Sequence, residues 1–513
     1  MASSTAKSEI LGEGETESFV DRFSSLPDKI AHHILDFLDV VDLSQLMLVS
    51  KRCKHFCMSV PVLWLDKKKH TGDVASLDHY RRLVENFLSL RHQTRTKVRQ
   101  FNFTWQWNIC EQSEKTKKRK RERVKKVDHN KELFYRVHEY FMKTVSCCDT
   151  ESLHLGLMSL ELKPQRLHPL FFDITNNLKE LTVRTNNCSL GFFEISFETF
   201  PKLEKLTLLF SKLKDSEISW VVFHLPSLKA LCLHCCTGLK KLILRSKSLE
   251  HLRIFNDNVV ELEELFIYCS LQTLFVKWYP YSDARPAFGI VSSQLKEFVW
   301  HGLPLGYYFA DRSVHLQNAE IHLLLPTKRL QWDLSDASTG LLDDVIDQLK
   351  TTKSVTFHAN TIRLFHMNDC LSSPLSKVEN LAIAYCTLTD TLVPPIGFFL
   401  QGMLDLKSLS ITSRVPRKQV KEVVESFGPS MEGLKGFNME YWEAQGLKFV
   451  PQLQKASIEV HFGNGVELVK YLLKHAAALE TLNILCFPGM ESSILEQIKE
   501  YKSQSTTVLF SSI

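Results

Sequence analysis

The sequence predicts an α/β repeat solenoid with a parallel sheet, preceded by a small all-α module near the N-terminus. Two observations lead to this fold class. An apolar-x-x-apolar-x-apolar pattern recurs along most of the chain, whereas residues 24–66 show the periodicity of short amphipathic helices. With 513 residues, of which 44% are apolar, the chain can bury a large core and is longer than one ordinary globular domain.

The helical segment opens with Leu26 and Pro27, and proline suits a first helical position because its missing N–H would be unsatisfied there. An apolar stripe near the 3.6-residue period follows, opposite a polar side that includes His32. The stripe consists of Ile30, Ile34, Leu35 and Leu38. Asp42 is the predicted N-cap of a second helix that closes around Ser50, and a third short segment spans residues 60–64.

The order Leu-Pro, Ile/Leu helix, Asp-Leu, Val-Ser-Lys-Arg and a closing Trp resembles an F-box, the module by which substrate receptors dock onto the Skp-type adaptor of a cullin–RING ubiquitin ligase. The resemblance implies that adaptor-facing or supporting residues are Leu26, Pro27, Ile30, Ile34, Leu38, Leu43 and Val49. Cys53 stands where the family usually has an aromatic residue, which changes a packing contact. A segment of this size rarely buries enough apolar surface alone, so we expect a partner surface.

The repeated pattern predicts short strands. Its last two apolar residues lie two apart and point into a core, and stacked units can bury a face that one unit cannot. The main series starts at residues 178, 203, 228, 249, 271, 295 and 316, so its units are 21–25 residues long, within the ~20–29 residues of leucine-rich repeats. A later copy is predicted at Leu434, Phe437 and Met439.

Two further copies, starting at Leu239 and Leu262, lie too close to their neighbours to be separate units. We predict that they form secondary strands on the return side of the same turns. The main series would then form the concave parallel sheet, with helices such as that predicted over residues 132–145 on the convex side.

The F-box-like segment and the irregular repeats together resemble plant F-box/leucine-rich-repeat proteins. From Val466 the pattern predicts helix, strand, helix and strand, which loosely resembles the FBD region of that family; a last repeat with a capping helix is the alternative. The predicted domains are a disordered N-terminus (1–20), the F-box (21–66), a helical linker (67–97), the solenoid (98–465) with a basic insertion (111–129), and an FBD-like cap (466–513).

The net charge of +5 has a local origin, because residues 115–126 hold nine Lys/Arg and one Glu. This run is either a solvated loop or a nuclear-localisation patch, so we expect the protein in the nucleus, the cytoplasm or both. One isolated basic run argues against nucleic-acid binding. We expect no membrane span and no secretory signal, and the 13 scattered cysteines indicate a reducing compartment.

The sequence contains no phosphate-binding glycine loop and none of the common hydrolase or metalloprotease motifs, so we predict no catalytic residues and no cofactor. The closest thiol–imidazole cluster is Cys232, His234, Cys235 and Cys236. Because side chains alternate along a strand, these four residues cannot converge on one ion, and we predict no metal site.

These expectations combine into a non-catalytic substrate receptor of an SCF-type (Skp adaptor–cullin–F-box) ubiquitin ligase, whose repeats bind an unknown protein substrate. The alternative is a repeat scaffold whose F-box is not used for ubiquitin transfer. Target recognition is expected on strand residues that do not enter the core, best represented by His251, Arg253, Phe275, Lys277 and Val299. A neighbouring loop that covers Phe275 is the competing interpretation.

Overall fold

The computed structural model describes residues 23, 25–66, 74–107, 145, 149–159, 177–185, 200–255, 262–278, 287–302, 307–309, 316–323, 346–347, 349–368, 375–384, 388–413, 436–460, 463–501 and 505–512. The predicted disordered N-terminus, the basic insertion and the helix predicted over 132–145, apart from Val145, lie outside these residues. The chain divides into two compact units, residues 1–105 with 111–151 and residues 106–110 with 152–513.

Within its described residues, the first unit has four helices and a pair of parallel strands. Its elements are α1 (Asp28–Leu35), α2 (Val40–Leu46), α3 (Lys51–Ser59), β1 (Val62–Asp66), α4 (Val74–Thr94) and β2 (Gln100–Trp107). Helix α3 packs against α1 and α2, and α4 packs against α2 and α3. The helix expected over Tyr80–Leu90 therefore exists, within the longer α4.

Two helix boundaries differ from the sequence prediction. Asp39, and not Asp42, is the N-cap of α2: its carboxylate accepts hydrogen bonds from the backbone N–H of Val41 at 2.9 Å and of Asp42 at 3.0 Å. Ser50 does not close α2 but caps α3, because its hydroxyl accepts from the Cys53 N–H at 3.0 Å. Both residues have the extended backbone of an N-cap, which a sequence pattern does not reveal.

The expectation that the F-box segment is all-α is wrong at its end. Residues Val62–Asp66 form strand β1, which pairs in parallel with β2 in the register Val62↔Gln100. Strand β1 buries Val62, Leu63 and Leu65 and is rich in residues that favour a pleated surface. Short apolar segments such as this one do not distinguish helix from strand by periodicity alone.

A buried arginine ties α4 to the end of α3. The Arg91 guanidinium is fully buried and donates hydrogen bonds to the backbone carbonyls of Met58 and of Val60, the latter at 2.9 Å. Because these carbonyls lie at the C-terminal end of α3, the cation also meets the negative end of the helix. The guanidinium thus fixes α4 against the C-terminal end of α3.

The second unit is built on one long parallel sheet. Its strands neighbour each other in the order β3, β4, β5, β6, β8, β10, β12, β14, β15, β16, β17, β18, β19 and β20. They span Ser152–Ser159, Glu180–Thr185, Lys205–Leu209, Ala230–His234, His251–Phe255, Thr273–Trp278, Glu297–Gly302, Asn318–Leu323, Ser354–His358, Asn380–Ala384, Ser408–Thr412, Lys455–Glu459, Thr481–Cys486 and Thr507–Ser512. The register pairs equivalent repeat positions, as in Leu206↔Leu231 and Leu231↔Leu252.

A second parallel sheet contains the strands that the sequence placed on the return side. Its order is β13 (Tyr307–Phe309), β11 (Ala287–Val291), β9 (Glu264–Cys269) and β7 (Lys241–Ser246). The copies at Leu239 and Leu262 lead into β7 and β9, so the prediction that they form strands outside the main series is confirmed. Aromatic side chains join the two sheets, with the rings of Phe288 and Trp300 4.8 Å apart between centroids.

Described helices lie between β5 and β6 and between successive strands from β15 to β20. They are α5 (Asp215–His224), α6 (Ala359–Met367), α7 (Val393–Gln401), α8 (Met439–Ala444), α9 (Gly463–His475) and α10 (Glu491–Ile498). The tail follows the predicted order, because α9, β19, α10 and β20 succeed one another. Within the described part of the chain, no helix combines the length and apolarity needed to cross a bilayer.

The repeat copy predicted at residues 434–439 is wrong. Leu434 lies outside the described residues, and Met439 begins helix α8 instead of ending a strand. Asn438 explains the difference, because its side chain accepts a hydrogen bond from the Tyr441 N–H at 3.2 Å and caps the helix.

Candidate functional site

Exposed apolar side chains concentrate in the segment that runs from α1 to β1. Among the described residues, twelve large apolar side chains are exposed, and six of them lie within the 35 residues from Ile30 to Trp64. These six are Ile30, Ile34, Phe37, Leu48, Val49 and Trp64. Isolated exposed apolar residues are common, but a cluster within one short segment is typical of an interaction surface. We call these six residues the apolar docking surface.

The predicted apolar stripe of α1 separates into two faces. Leu35 and Ala31 are fully buried, whereas Ile30 and Ile34, one helical turn apart, are 50% and 44% exposed. His32, expected on the polar side, is half-buried against α3, where its Nε2 lies 2.9 Å from the Ser59 hydroxyl. Helix α1 therefore packs through one apolar face and leaves a second one exposed.

The remaining predicted adaptor residues fall into two groups. Pro27 and Val49 are exposed, and Leu26 and Leu38 are partly exposed. Leu43 is fully buried in α2 and is not part of the exposed surface. The sequence interpretation missed the two most exposed members, Phe37 at 74% and Leu48 at 87%. Each is the second residue after the end of a helix, outside the helical periodicity on which the prediction depended.

The interior beneath this surface accommodates the atypical Cys53. Its thiol is 2% exposed, and Phe56 and Cys57 are fully buried. Burial, with a smaller contribution from Cys53, raises the pKa of Cys57 to about 12. Cys57 is therefore protonated at neutral pH and packs as a small apolar residue, not as a nucleophile.

A second candidate surface lies on the main sheet of the other unit. Strand residues alternate between buried ones and partly exposed ones. We call the partly exposed side the outward face, which in β8 consists of His251, Arg253 and Phe255. All five predicted target-binding residues, His251, Arg253, Phe275, Lys277 and Val299, belong to this face.

The strand register brings the predicted residues together around Phe275. Arg253 on β8 and Val299 on β12 are its direct cross-strand partners. The Nζ atom of Lys277 lies 4.5 Å from the ring centroid of Phe255. His251 on β8 is the cross-strand partner of Thr273, and its Nδ1 atom lies 2.9 Å from the Thr273 hydroxyl. Phe275 itself keeps part of its surface exposed.

From a mostly aromatic row of side chains next to Phe275, the sequence interpretation named only Lys277 as a target-binding residue. Each strand contributes the residue directly after the last apolar residue of its repeat: His234, Phe255, Lys277, His301, His322 and His358. Neighbouring rings are close, with 4.7 Å between the centroids of His234 and Phe255. Phe275 connects to this row through Phe255 and His301, at 6.2 and 5.9 Å. The outward face thus combines aromatic rings with cationic side chains, a composition enriched in binding hot spots.

The row ends in a group of interacting ionisable side chains. Hydrogen bonds from the His301 and His358 imidazoles hold the pKa of the Glu320 carboxyl well below its usual range. Burial, together with the neighbouring His358 and His301, lowers the pKa of His322 to about 3. At neutral pH, Glu320 is therefore ionised and His322 is neutral.

Comparison with known proteins agrees with this architecture. Residues 23–65 match the family model of the F-box domain, the same segment that carries the apolar docking surface. The match shows an F-box domain at residues 23–65 of the chain.

Its relatives extend the likeness beyond that domain. An F-box/LRR-repeat protein of Arabidopsis thaliana is 24% identical over 473 residues, covering 91% of this chain and 87% of the relative. An F-box/FBD/LRR-repeat protein of the same plant is 23% identical over 496 residues, covering 90% and 88%. The chain is similar to plant F-box/LRR-repeat proteins over most of its length, as the sequence interpretation expected.

Proposed function

We propose that this protein is the substrate-recognition subunit of an SCF-type ubiquitin ligase. Its F-box docks onto a Skp-type adaptor and, through it, onto a cullin–RING ligase. The second unit is a leucine-rich-repeat solenoid that binds the target protein on its outward face. The chain contributes proximity and orientation, and other subunits supply the bond-forming chemistry.

The apolar docking surface is the observation that carries this proposal. Fully burying one large apolar side chain is worth about 1.5–3 kcal/mol. Several such side chains on an F-box module favour a protein partner that covers them, and F-box domains generally bind Skp-type adaptors. The atypical Cys53 does not weaken the proposal, because its side chain lies in the core and not on this surface.

The outward face supports the second half of the proposal. Phe275 offers an aromatic anchor, and Arg253 is an exposed cation beside it. The side chains on the opposite side of the same strands are buried in the core, so the outward face is the side of this sheet available to a target. An acidic or phosphorylated segment with an apolar residue would complement these groups.

The test measures the affinity of the full chain for a Skp-type adaptor in wild type and in two single variants. Ile34→Asp places a charge on the apolar docking surface, and we expect adaptor binding to weaken by at least about tenfold, equivalent to ~1.4 kcal/mol. The matched control is Leu495→Asp, since Leu495 has almost the same exposure, 43% against 44%, but lies on α10 in the second unit.

A third variant separates adaptor binding from target binding. Arg253→Glu with Phe275→Ala is expected to bind the adaptor like wild type and to lose the proteins that wild type captures. If wild type binds no adaptor, or if Ile34→Asp binds as tightly as Leu495→Asp, the proposed docking surface is wrong. A folded wild type that binds targets but no adaptor would indicate the scaffold alternative.

A further inference from the structure

Three potential metal ligands converge on the outward face where β12, β14 and β15 run side by side. The Oε1 atom of Glu320 lies 3.1 Å from Nε2 of His301 and 3.3 Å from Nε2 of His358. One donor atom from each of these three residues lies within 4.8 Å of the other two. Two imidazole nitrogens and one carboxylate oxygen thus face a common point.

The strand register explains this convergence. The cross-strand partners of Glu320 are Val299 on β12 and Thr356 on β15. His301 and His358 each follow one of these partners by two residues, so both lie diagonally across from Glu320 on the same face of the sheet. A carboxylate on the middle strand is therefore flanked symmetrically by two imidazoles, within reach of these side chains.

Surrounding contacts hold His358 in place. The His322 ring stacks on that of His358 at 3.8 Å between centroids, with an interplanar angle of 18°. His358 directly precedes helix α6, and Thr361 in the first turn of α6 bonds twice to β14. Its hydroxyl accepts from the Leu323 N–H at 2.8 Å and donates to the Ile321 carbonyl at 3.1 Å. His358 is only 2% exposed, so its ring has little freedom to turn away.

We propose that His301, Glu320 and His358 form a binding site for a divalent transition metal of the Zn²⁺ type. Two histidines and one carboxylate form a donor set that Zn²⁺ uses when its fourth coordination position is left open. The side chains of His301 and Glu320 are 15% and 25% exposed, so solvent reaches the site and a water molecule can supply the fourth ligand.

The distances fit tetrahedral coordination. With metal–ligand distances of about 2.0–2.2 Å, two ligand atoms of a tetrahedral zinc site are roughly 3.3–3.5 Å apart. The two Glu320–histidine distances, 3.1 and 3.3 Å, are already close to this value. The third ligand pair lies within 4.8 Å, so a modest rotation of the partly exposed His301 closes the site.

A hydrogen-bonded His–Glu–His cluster without metal is the competing explanation of the same geometry. It requires a proton on each Nε2 atom, whereas metal binding requires both Nε2 atoms to be deprotonated. The two explanations therefore predict different affinities of the protein for zinc. The site lies outside the F-box, and its existence does not depend on the proposed ligase function.

The test is a Zn²⁺ titration of the metal-depleted full chain, followed by metal analysis after gel filtration. We compare wild type with His301→Ala and with the isosteric Glu320→Gln. Residues that only hydrogen-bond to a metal ligand contribute about 10–100-fold to metal affinity. Loss of a ligand itself is therefore expected to weaken zinc binding by at least about 100-fold. Each variant should therefore bind one zinc ion fewer than wild type.

His251→Ala is the matched control, because His251 is a histidine on the outward face of the same sheet but outside the cluster. It should retain the wild-type stoichiometry. Bound Co²⁺ provides a second readout, since this site offers no sulfur and should show d–d bands without thiolate charge transfer. Equal zinc affinity in wild type and Glu320→Gln would overturn the proposal, as would loss of the same zinc ion in His251→Ala. If His301→Ala fails to fold, the zinc affinity of Glu320→Gln relative to wild type decides between the two explanations.

Discussion

Asp39 determines where the second helix of the F-box begins. It is 3% exposed and accepts two backbone hydrogen bonds, one from Val41 and one from Asp42. Asp42 is exposed and lies in the first turn, where it interacts favourably with the helix dipole but caps nothing.

This arrangement predicts different effects for two aspartates three residues apart. Asp39→Ala should lower the free energy of unfolding of the F-box by about 1–2 kcal/mol, because two N–H groups lose their acceptor. Asp42→Ala should change it by less than about 0.5 kcal/mol. Urea denaturation of both variants measures the difference. Equal effects, or a larger effect at Asp42, would contradict the assignment of the cap.

Single residues also show where the sequence was informative and where it was not. Phe275 and Arg253 were predicted on the outward face because side chains alternate along a strand. The same rule places the strand residue after the last apolar repeat position on the outward face. This residue is Phe255 in β8, His301 in β12 and His358 in β15. These three were overlooked because the strands extend one residue beyond the last apolar position of the repeat.

At the level of elements, the repeat pattern predicted most strands of the main sheet, since two buried residues per strand leave a clear period of two. Ile34 and Leu35 show what the pattern does not contain. They are neighbours in one apolar stripe of the sequence, but one is exposed and the other is buried. The division depends on the packing of α1 against α3, which is a tertiary contact.

Close packing between β10 and β12 explains one glycine. A Cβ atom at Gly302, the last residue of β12, would meet the backbone carbonyl oxygen of Trp278. The neighbouring carbonyl is backbone and cannot rotate away as a flexible side chain would. Trp278 and Trp300, both buried, hold the two strands at this distance.

We therefore expect Gly302→Ala to lower the free energy of unfolding by about 1–3 kcal/mol, the usual cost of overpacking. The matched control is Gly463→Ala, because a Cβ atom at Gly463 has no neighbour within 4 Å. That control should leave stability unchanged or raise it slightly. Urea denaturation of the full chain compares the two, and a neutral Gly302→Ala would show that the strands separate easily at this end.

At the scale of the whole molecule, the two units carry different kinds of surface. The first unit has the apolar docking surface, and the second has an outward face with aromatic, cationic and metal-ligating side chains. The order of an F-box segment and a repeat region followed from the sequence. The cluster of His301, Glu320 and His358 did not, because up to 57 residues separate its members and only the strand register brings them together.

Hydrogen exchange with and without a bound Skp-type adaptor tests the central claim most directly. Adaptor binding is expected to protect backbone amides in α1 and in the residues around Leu48 and Val49, which carry the apolar docking surface. Amides of β8, β10 and β12 should exchange at unchanged rates, leaving the outward face available to a target. Protection confined to the main sheet, or no protection in the F-box of a stable complex, would contradict the account.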